Sequence, residues 1–495
     1  MGDNKERKVC IYIMRCVIRN IHNVDGITES VIHGLDTDLH LEKAIILDMD
    51  NNGSEDDKIE YKPLSLAMQH NSLELEKCDA AVSRHVLDGM LPYKSMAMHL
   101  MMRESHYDIY SYHYLEEVYY KHVRYWNDLL DTERIDFVLF LVTPHHIGEY
   151  VLYALAKVKK IRVAIFTPIT PVGHFVMGTS IENLGYPVEE VYKSGNLQGE
   201  LNEDFAAFAN RVIASSTFSA KEKIEIKTAT KNTVFSFSSY PLLIRRMLKV
   251  AVVKFAGRYK EHRDFYLKEQ KRLAALTFQS LKYEKEMDHI KDYQKLSKAP
   301  DWSDKYIYFA LQQTPEETTM PRAGEYKNQI LSIRTLAKAA NKNGLKVYVK
   351  EHWVQGHRDP GFYQEINNIE GVMLVDLEVN AGDLIDHAQA VSTQTGTCII
   401  EAMLKGKHCL FFGEGQPFKG APGAVRIDDE IQADNVIQDI LCGKNTFSRE
   451  EALRYMKALE LGCVRGYVDS LAEVTTQYDR DESARKIVEF IKTLF

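Results

Sequence analysis

The sequence predicts an α/β protein of two Rossmann-like domains with a helical segment between them. Three observations carry that expectation. Short apolar, β-branched runs read as strands buried on both faces, segments of helical period follow them, and a long region after residue 240 breaks the alternation. The length of 495 residues points the same way, because one hydrophobic core rarely organises so many.

In the N-terminal part, residues 136–142 (DFVLFLV) form a continuous apolar run. Thr143-Pro144-His145-His146 break it, and residues 147–158 (IGEYVLYALAKV) have helical spacing. Another strand is expected at 162–166 (RVAIF), closed by Thr167-Pro168, and residues 9–14 and 44–47 are also strand-like. These elements define an N-terminal domain over 1–240. Residues 241–300 are rich in Lys, Arg, Tyr, Glu and Leu, with Gly257 as the only glycine, and read as one or two long amphipathic helices. The segment 299–303 (APDWS) closes that region, and a C-terminal domain over 301–495 resumes the alternation. Its expected strands are 306–310 (YIYFA), 345–349 (LKVYV), 372–374, 390–392 and 408–412, and its expected helices are 328–340, 361–369, 384–387 and 397–405.

Composition narrows the class. Apolar residues make up 45% and charged residues 27%, as in ordinary globular proteins. A net charge of −8 argues against a protein that wraps nucleic acid. Seven scattered cysteines without a CxxC pair fit neither structural zinc nor a disulfide framework, so a reducing, cytoplasmic setting is expected. The start, MGDNKERK, enters an apolar run that Arg15 interrupts, too short for a signal-peptide core, and Glu6 stands where a myristoylation signal needs Ser or Thr.

In open α/β sheets, ligands sit beyond the carboxyl ends of the strands, so the loops after each predicted strand are the informative ones. Three stand out in the C-terminal part. The loop 311–321 (LQQTPEETTMP) gathers Gln312, Gln313, Glu316, Glu317, Thr318 and Thr319 into one turn region, though a polar surface loop has the same composition. Lys350, Glu351 and His352 follow a strand directly, where lysine and histidine can meet a phosphate; a solvated charge triplet is the alternative. Residues 392–401 (STQTGTCIIE) bring Thr395, Gly396 and Thr397 to the start of a helix, with Glu401 one turn in. The positive end of a helix dipole draws anions, and ordinary capping by Thr is the other reading.

Read together, YFALQQTPEETTMPRAGEY, LKVYVKEHW, GVMLVD and LIDHAQAVSTQTGTCIIEAMLKGKHCLFFG resemble the capsule polysaccharide synthesis family, which includes bacterial Kdo (3-deoxy-manno-octulosonic acid) transferases. The likeness covers roughly residues 306–413, and residues 136–166 share it less distinctively. It implies a GT-B fold and transfer of a sugar from a nucleotide donor, typically a CMP-activated ulosonic acid, onto a bacterial surface glycan or glycolipid. It also implies that His352 contacts donor phosphate, that the turn of Thr395, Gly396 and Thr397 helps to hold it, and that Gln313 and Pro315 stand in the family's glutamine–proline loop. Two departures accompany it. Trp353 follows His352 where the family usually has proline, and Thr314 separates Gln313 from Pro315.

Glycosyl transfer needs a base for the acceptor hydroxyl or a carboxylate to stabilise an oxocarbenium-like state. His145 and His146 at a strand end, and Glu149 one turn further, are the candidates, with helix capping and packing as the alternative for the histidines. His174 is a weaker one. No cofactor and no essential metal are expected, although Asp48-Met49-Asp50 has the letters of a metal motif. Residues 242–260 combine six Arg and Lys (Arg245, Arg246, Lys249, Lys254, Arg258, Lys260) with many apolar residues, so they read either as an interdomain helix or as a peripheral contact with the inner face of a membrane. The competing functions are a sugar-nucleotide epimerase, which needs further carboxylates in the interdomain cleft, and a non-catalytic nucleotide-sugar-binding subunit.

Overall fold

The computed structural model describes residues 13–19, 26–48, 56–101, 110–171, 173–214, 239–256, 259–260, 262–286, 289–352, 358–359, 361–466 and 479–495. The strands among them are β1 (Met14–Arg19), β2 (Leu41–Asp48), β3 (Ile59–Pro63), β4 (Phe137–Phe140), β5 (Arg162–Ile169) and β6 (His174–Gly178), then β7 (Tyr306–Ala310), β8 (Lys346–Lys350), β9 (Val372–Leu374), β10 (Ala390–Thr393), β11 (Cys409–Phe411), β12 (Ala424–Arg426) and β13 (Val464–Arg465).

They form two sheets. The first runs β13-β6-β5-β4-β1-β2-β3, and the second β12-β11-β10-β7-β8-β9. In the first, β3, β2, β1, β4 and β5 are parallel, β6 pairs antiparallel with β5 at one edge, and β13 pairs antiparallel with β6. The second is parallel throughout. Each sheet starts from a central strand, extends to one side, then crosses back to extend to the other. The reversal lies between β1 and β4 in one sheet and between β7 and β10 in the other. A crevice for a ligand opens outside the carboxyl ends at such a reversal. The two Rossmann-like sheets realise the GT-B-like architecture expected from the sequence.

Strand composition explains the layering. Side chains alternate between faces with period two, so a strand with helices on both sides must be apolar at every position. In β4, Val138 and Phe140 enter one core while Phe137 and Leu139 enter another. In β7, Tyr306 and Tyr308 face one core and Ile307 and Phe309 the opposite one. The helix Ile147–Val158 has the bounds expected from its periodicity. It packs so closely on the short helix Ser65–Met68 that a Cβ on Gly148 would lie 2.3 Å from the Leu66 carbonyl oxygen.

The connecting segment contains helices Ser239–Phe255, Arg263–Glu286 and His289–Leu296. The second joins the first domain, where Arg272 Nη1 donates to Tyr110 Oη at 2.7 Å and Asn71 Nδ2 to Glu269 Oε1 at 3.3 Å. The third reaches the second sheet, where the Tyr293 hydroxyl accepts from Glu351 N at 3.2 Å.

Two expectations need correction. The first strand was placed at 9–14, of which 9–12 lie outside the described residues, whereas β1 is Met14–Arg19. Arg15 reads as an interruption in sequence, yet its charge is met in space, Nε lying 3.0 Å from Glu42 Oε2, and further along the strand Arg19 Nη2 lies 2.5 Å from Glu149 Oε1. The second concerns the domain drawn as 301–495. Strand β13 pairs with β6 of the first sheet, and the helix Arg480–Lys492 buries Ile487, Val488 and Ile491 in the same core as Val31 and Leu35. An amphipathic helix carries no mark in its sequence of which sheet its apolar face will cover.

Replacing Gly148 with Ala forces the helix away from Leu66 and Ala67. We expect a loss of about 1–3 kcal/mol, the usual cost of overpacking, seen as a lowered Tm. An unchanged Tm would overturn the close approach.

Candidate active site

At the mouth of the first sheet, the buried carboxylate of Glu149 is fully engaged. Its Oε1 accepts from Arg19 Nε at 2.6 Å, and its Oε2 from the backbone N–H groups of His145 and His146 at 3.0 and 3.2 Å. Burial alone would raise its pKa, but the Arg19 guanidinium, aided by the two imidazoles, outweighs it and holds the group well below the usual carboxylate range. A carboxylate so stabilised as the anion is a poor proton acceptor, and the base role expected of Glu149 does not fit it. It shapes the start of the helix and presents the histidines. The His145 ring nitrogen Nδ1 lies 2.5 Å from the Thr143 carbonyl oxygen. Because a carbonyl only accepts, Nδ1 carries the proton and Nε2 is the basic nitrogen of the neutral ring. His174 is a core residue, bonded to the Pro171 carbonyl and set 4.9 Å from the Phe205 ring.

In the second sheet, the loops after β7, β8 and β10 converge, as their place at the strand reversal requires. Much of what the sequence offered as donor contacts forms the scaffold instead. Gln312 is buried, accepts from Thr395 N at 2.7 Å through Oε1, and is clamped through its own backbone by Gln329. Thr395 is buried as well, its hydroxyl donating to the Thr318 carbonyl at 2.5 Å. Glu351 accepts from Arg358 at 2.5 and 2.9 Å, from the Tyr363 hydroxyl at 2.5 Å, and from His352 N at 2.7 Å. Burial opposes its ionisation, but Arg358 outweighs that and lowers its pKa.

Gln313 and His352 are half-buried at this mouth, and Thr397 is exposed with no side-chain capping bond. Gly396 sits where a Cβ would lie 2.8 Å from Thr393 Oγ1. Lys350 is buried, and burial lowers its ammonium pKa to about 8. Glu401 is half-buried on the helix Cys398–Leu404, where its charge acts on Tyr308 and Cys409. Trp353 lies outside the described residues, as do Met49 and Asp50 of the metal-like triplet.

The two mouths touch. Thr143 Oγ1 and Thr167 Oγ1, from the ends of β4 and β5, are 2.7 Å apart, and Thr167 Oγ1 donates to Glu317 Oε1 at 3.1 Å. Arg322 Nη1 donates to the same carboxylate oxygen at 3.2 Å. Next to it, Glu316 accepts from Thr318 N at 2.7 Å and Thr318 Oγ1 at 2.6 Å. Burial disfavours the Glu316 anion, yet the Thr318 bonds and the charge of His145 hold its pKa below the ordinary value. Glu317 is left with the opposite balance: burial first, then the Glu316 charge, push it up to about 7. Of the two adjacent carboxyls, Glu317 is the one that keeps its proton near neutrality. Sequence reading set both in a polar loop, but nothing in the letters distinguished them. Arg19, Arg322 and Arg358 escaped it altogether, because a buried arginine is recognisable only by its partner.

Among the described residues, His145, His146 and Glu149 offer ligand atoms within 4.8 Å of one another, close enough for a metal ion. The carboxylate is already neutralised by Arg19, which opposes a second cation there.

The Glu317 balance has a measurable consequence. An unfolded glutamate ionises near 4.5, whereas the folded one holds its proton to about 7. The stability tied to this proton is present below pH 4.5 and is lost as pH rises to 7. The Tm difference between Glu317→Gln and wild type should therefore shift in favour of the variant across that window and level off above it. A difference constant with pH would overturn the assignment.

Comparison with known proteins bears on the resemblance. No curated protein matches the chain. Among solved structures, similar chains include the beta Kdo 2,7 transferase of KpsC from Thermosulfurimonas dismutans, at 10% identity over 77% of this chain and 91% of that one, with a TM-score of 0.32. Another is MnaA of S. aureus, solved with UDP, at 11% identity over 98% of each chain and a TM-score of 0.26. A third is the UDP-GlcNAc 2-epimerase of Methanocaldococcus jannaschii, at 10% identity over 97% and 99%, with a TM-score of 0.26. The family resemblance carried by the C-terminal motifs is matched directly: residues 210–421 fit the model of the family described as capsule polysaccharide biosynthesis protein.

Proposed function

We propose that this protein is a glycosyltransferase that moves a sugar from a nucleotide donor onto a bacterial surface glycan or glycolipid, with a CMP-activated ulosonic acid such as Kdo as the donor. The observation that carries the proposal is the meeting of two strand-reversal mouths. The loop bearing Gln313 meets the first domain through the Thr167–Glu317 bond and the interaction of Glu316 with His145, and it is tied to the loops bearing His352 and Thr397 through Arg358 and Thr395. Gln313, Lys350, His352, Gly396 and Thr397 are the donor-side residues in this reading. Glu351, Thr395 and Glu401 support them, the first two through the bonds described above. The chain needs no cofactor for this chemistry.

On the acceptor side, His145 is the base. The acceptor hydroxyl oxygen attacks the anomeric carbon, the bond from that carbon to the phosphate oxygen breaks, and the nucleotide leaves with the electron pair. The hydroxyl proton passes to Nε2 of His145. The imidazolium then carries a single positive charge shared by its two N–H groups, with Nδ1–H held by the Thr143 carbonyl, and the ionised Glu316 offsets that charge electrostatically. His146 is the neighbouring alternative.

Two measurements test this. In a calorimetric and thermal-shift panel of CMP, CDP, UMP, UDP and GDP, CMP should stabilise the wild type by about 2.7 kcal/mol at 100 times its Kd. His352→Ala should weaken CMP binding about ten-fold or more, the worth of one charge-assisted hydrogen bond. UDP or GDP selectivity would keep the transferase and change the sugar, whereas binding of none would overturn the donor site. In turnover assays, His145→Ala should lower kcat about 100-fold or more, as loss of general base catalysis does, with nucleotide Kd unchanged. A full kcat in that variant would remove His145 from the role.

A second reading, a sugar-nucleotide epimerase, is favoured by one observation: Glu316 and Glu317 supply the carboxylates at the domain contact that such a reaction needs. Release of free nucleotide with an isomerised sugar, in the absence of any acceptor, would select it.

A further inference from the structure

The helix Ser239–Phe255 is apolar on two opposite sides, and only one of them is covered. With about 100° between successive residues, Leu243, Arg246, Val250 and Val253 share a stripe about 80° wide. That stripe turns to the helix Arg263–Glu286: Val253 is fully buried, and Arg246 Nη1 donates to the Leu273 carbonyl at 2.8 Å and to Thr277 Oγ1 at 2.6 Å. On the far side, Ile244, Met247, Leu248, Ala251, Val252 and Phe255 fill an arc of about 140°. Ile244 is 57% exposed, Met247 60%, Leu248 62% and Phe255 79%. Single exposed apolar residues are common, but a contiguous set on one helix face marks a surface that something covers.

The charges say what covers it. Lys254 borders one edge of the apolar arc, and Arg245 and Lys249 border the other, all three exposed. Between residues 239 and 260 the sequence has no Asp or Glu, in a chain whose net charge is −8. Among the described residues no helix is long and apolar enough to cross a membrane. An apolar arc with lysine and arginine on both flanks matches a helix lying in the plane of a bilayer surface. Its apolar side chains enter the acyl boundary while the basic ones reach outward to anionic headgroups.

We propose that the exposed face of the helix Ser239–Phe255 is a docking surface for an anionic lipid bilayer. It engages the headgroup layer through Arg245, Lys249 and Lys254 and the acyl boundary through Met247, Leu248 and Phe255. This interaction is independent of which sugar or nucleotide the protein uses.

The test is co-sedimentation of the full chain with vesicles of phosphatidylcholine alone and of phosphatidylcholine with phosphatidylglycerol. The wild type should bind the phosphatidylglycerol vesicles at least about ten-fold more tightly, and binding should weaken as salt rises. The variant Leu248→Glu with Phe255→Glu should lose that binding while keeping the wild-type Tm, because both side chains face outward. Arg245→Gln with Lys249→Gln should weaken binding with its salt dependence reduced. Equal binding by wild type and the glutamate variant, or no binding by the wild type, would overturn the proposal. So would a dimer seen by light scattering that the glutamate variant dissolves without any vesicle binding, since the face would then belong to a second copy.

Discussion

A buried arginine facing a buried glutamate at the strand reversal is the constraint around which the first domain is arranged. Arg19 ends β1, and Glu149 sits on the helix after β4, 130 positions later in the chain. Both are fully shielded from water, and stranding either charge costs about 3–5 kcal/mol. The pair therefore fixes how that helix meets the sheet. Because the second carboxylate oxygen takes the N–H groups of His145 and His146, the same interaction sets the loop that carries both imidazoles. Close packing of Gly148 on Leu66 leaves the helix no other position.

The second sheet solves the equivalent problem with the same residue types. Glu351, beyond the end of β8, is held by Arg358, whose Nη2 also donates to the Gln312 carbonyl at 2.9 Å. Gln312 in turn grips Thr395 beyond β10. Three loops are thus joined by one buried polar network in which each member satisfies another. Such networks are rigid because losing any member leaves a desolvated group unpaired. Gln313, His352 and Thr397 lie at the mouth beside this network. Pre-organised groups around an opening are what binding a charged ligand demands.

Where the two domains meet, the adjacent carboxyls of Glu316 and Glu317 divide their roles by surroundings alone. Glu316 has a hydroxyl and an amide for its charge. Glu317 has Thr167 and Arg322 but also a neighbouring anion and complete burial. The contact between domains is therefore sensitive to a proton near neutral pH.

The sequence by itself determined the alternation of strands and helices, because a strand covered on both faces must be apolar at every position and a surface helix must repeat every 3.6 residues. It placed the strand Tyr306–Ala310 and the helix Ile147–Val158 at their observed bounds, and it singled out the loops that end at the two mouths. Only the tertiary structure decided which residues in those loops are tied into the scaffold. Glu149, Glu351 and Thr395 have the chemistry of site residues, yet their partners, Arg19, Arg358 and Gln312, consume them. It also decided that the chain's last helix covers the first sheet rather than the second. Both decisions rest on contacts between positions far apart in the chain, and local patterns of polarity carry no record of the partner that will neutralise a charge or cover a face.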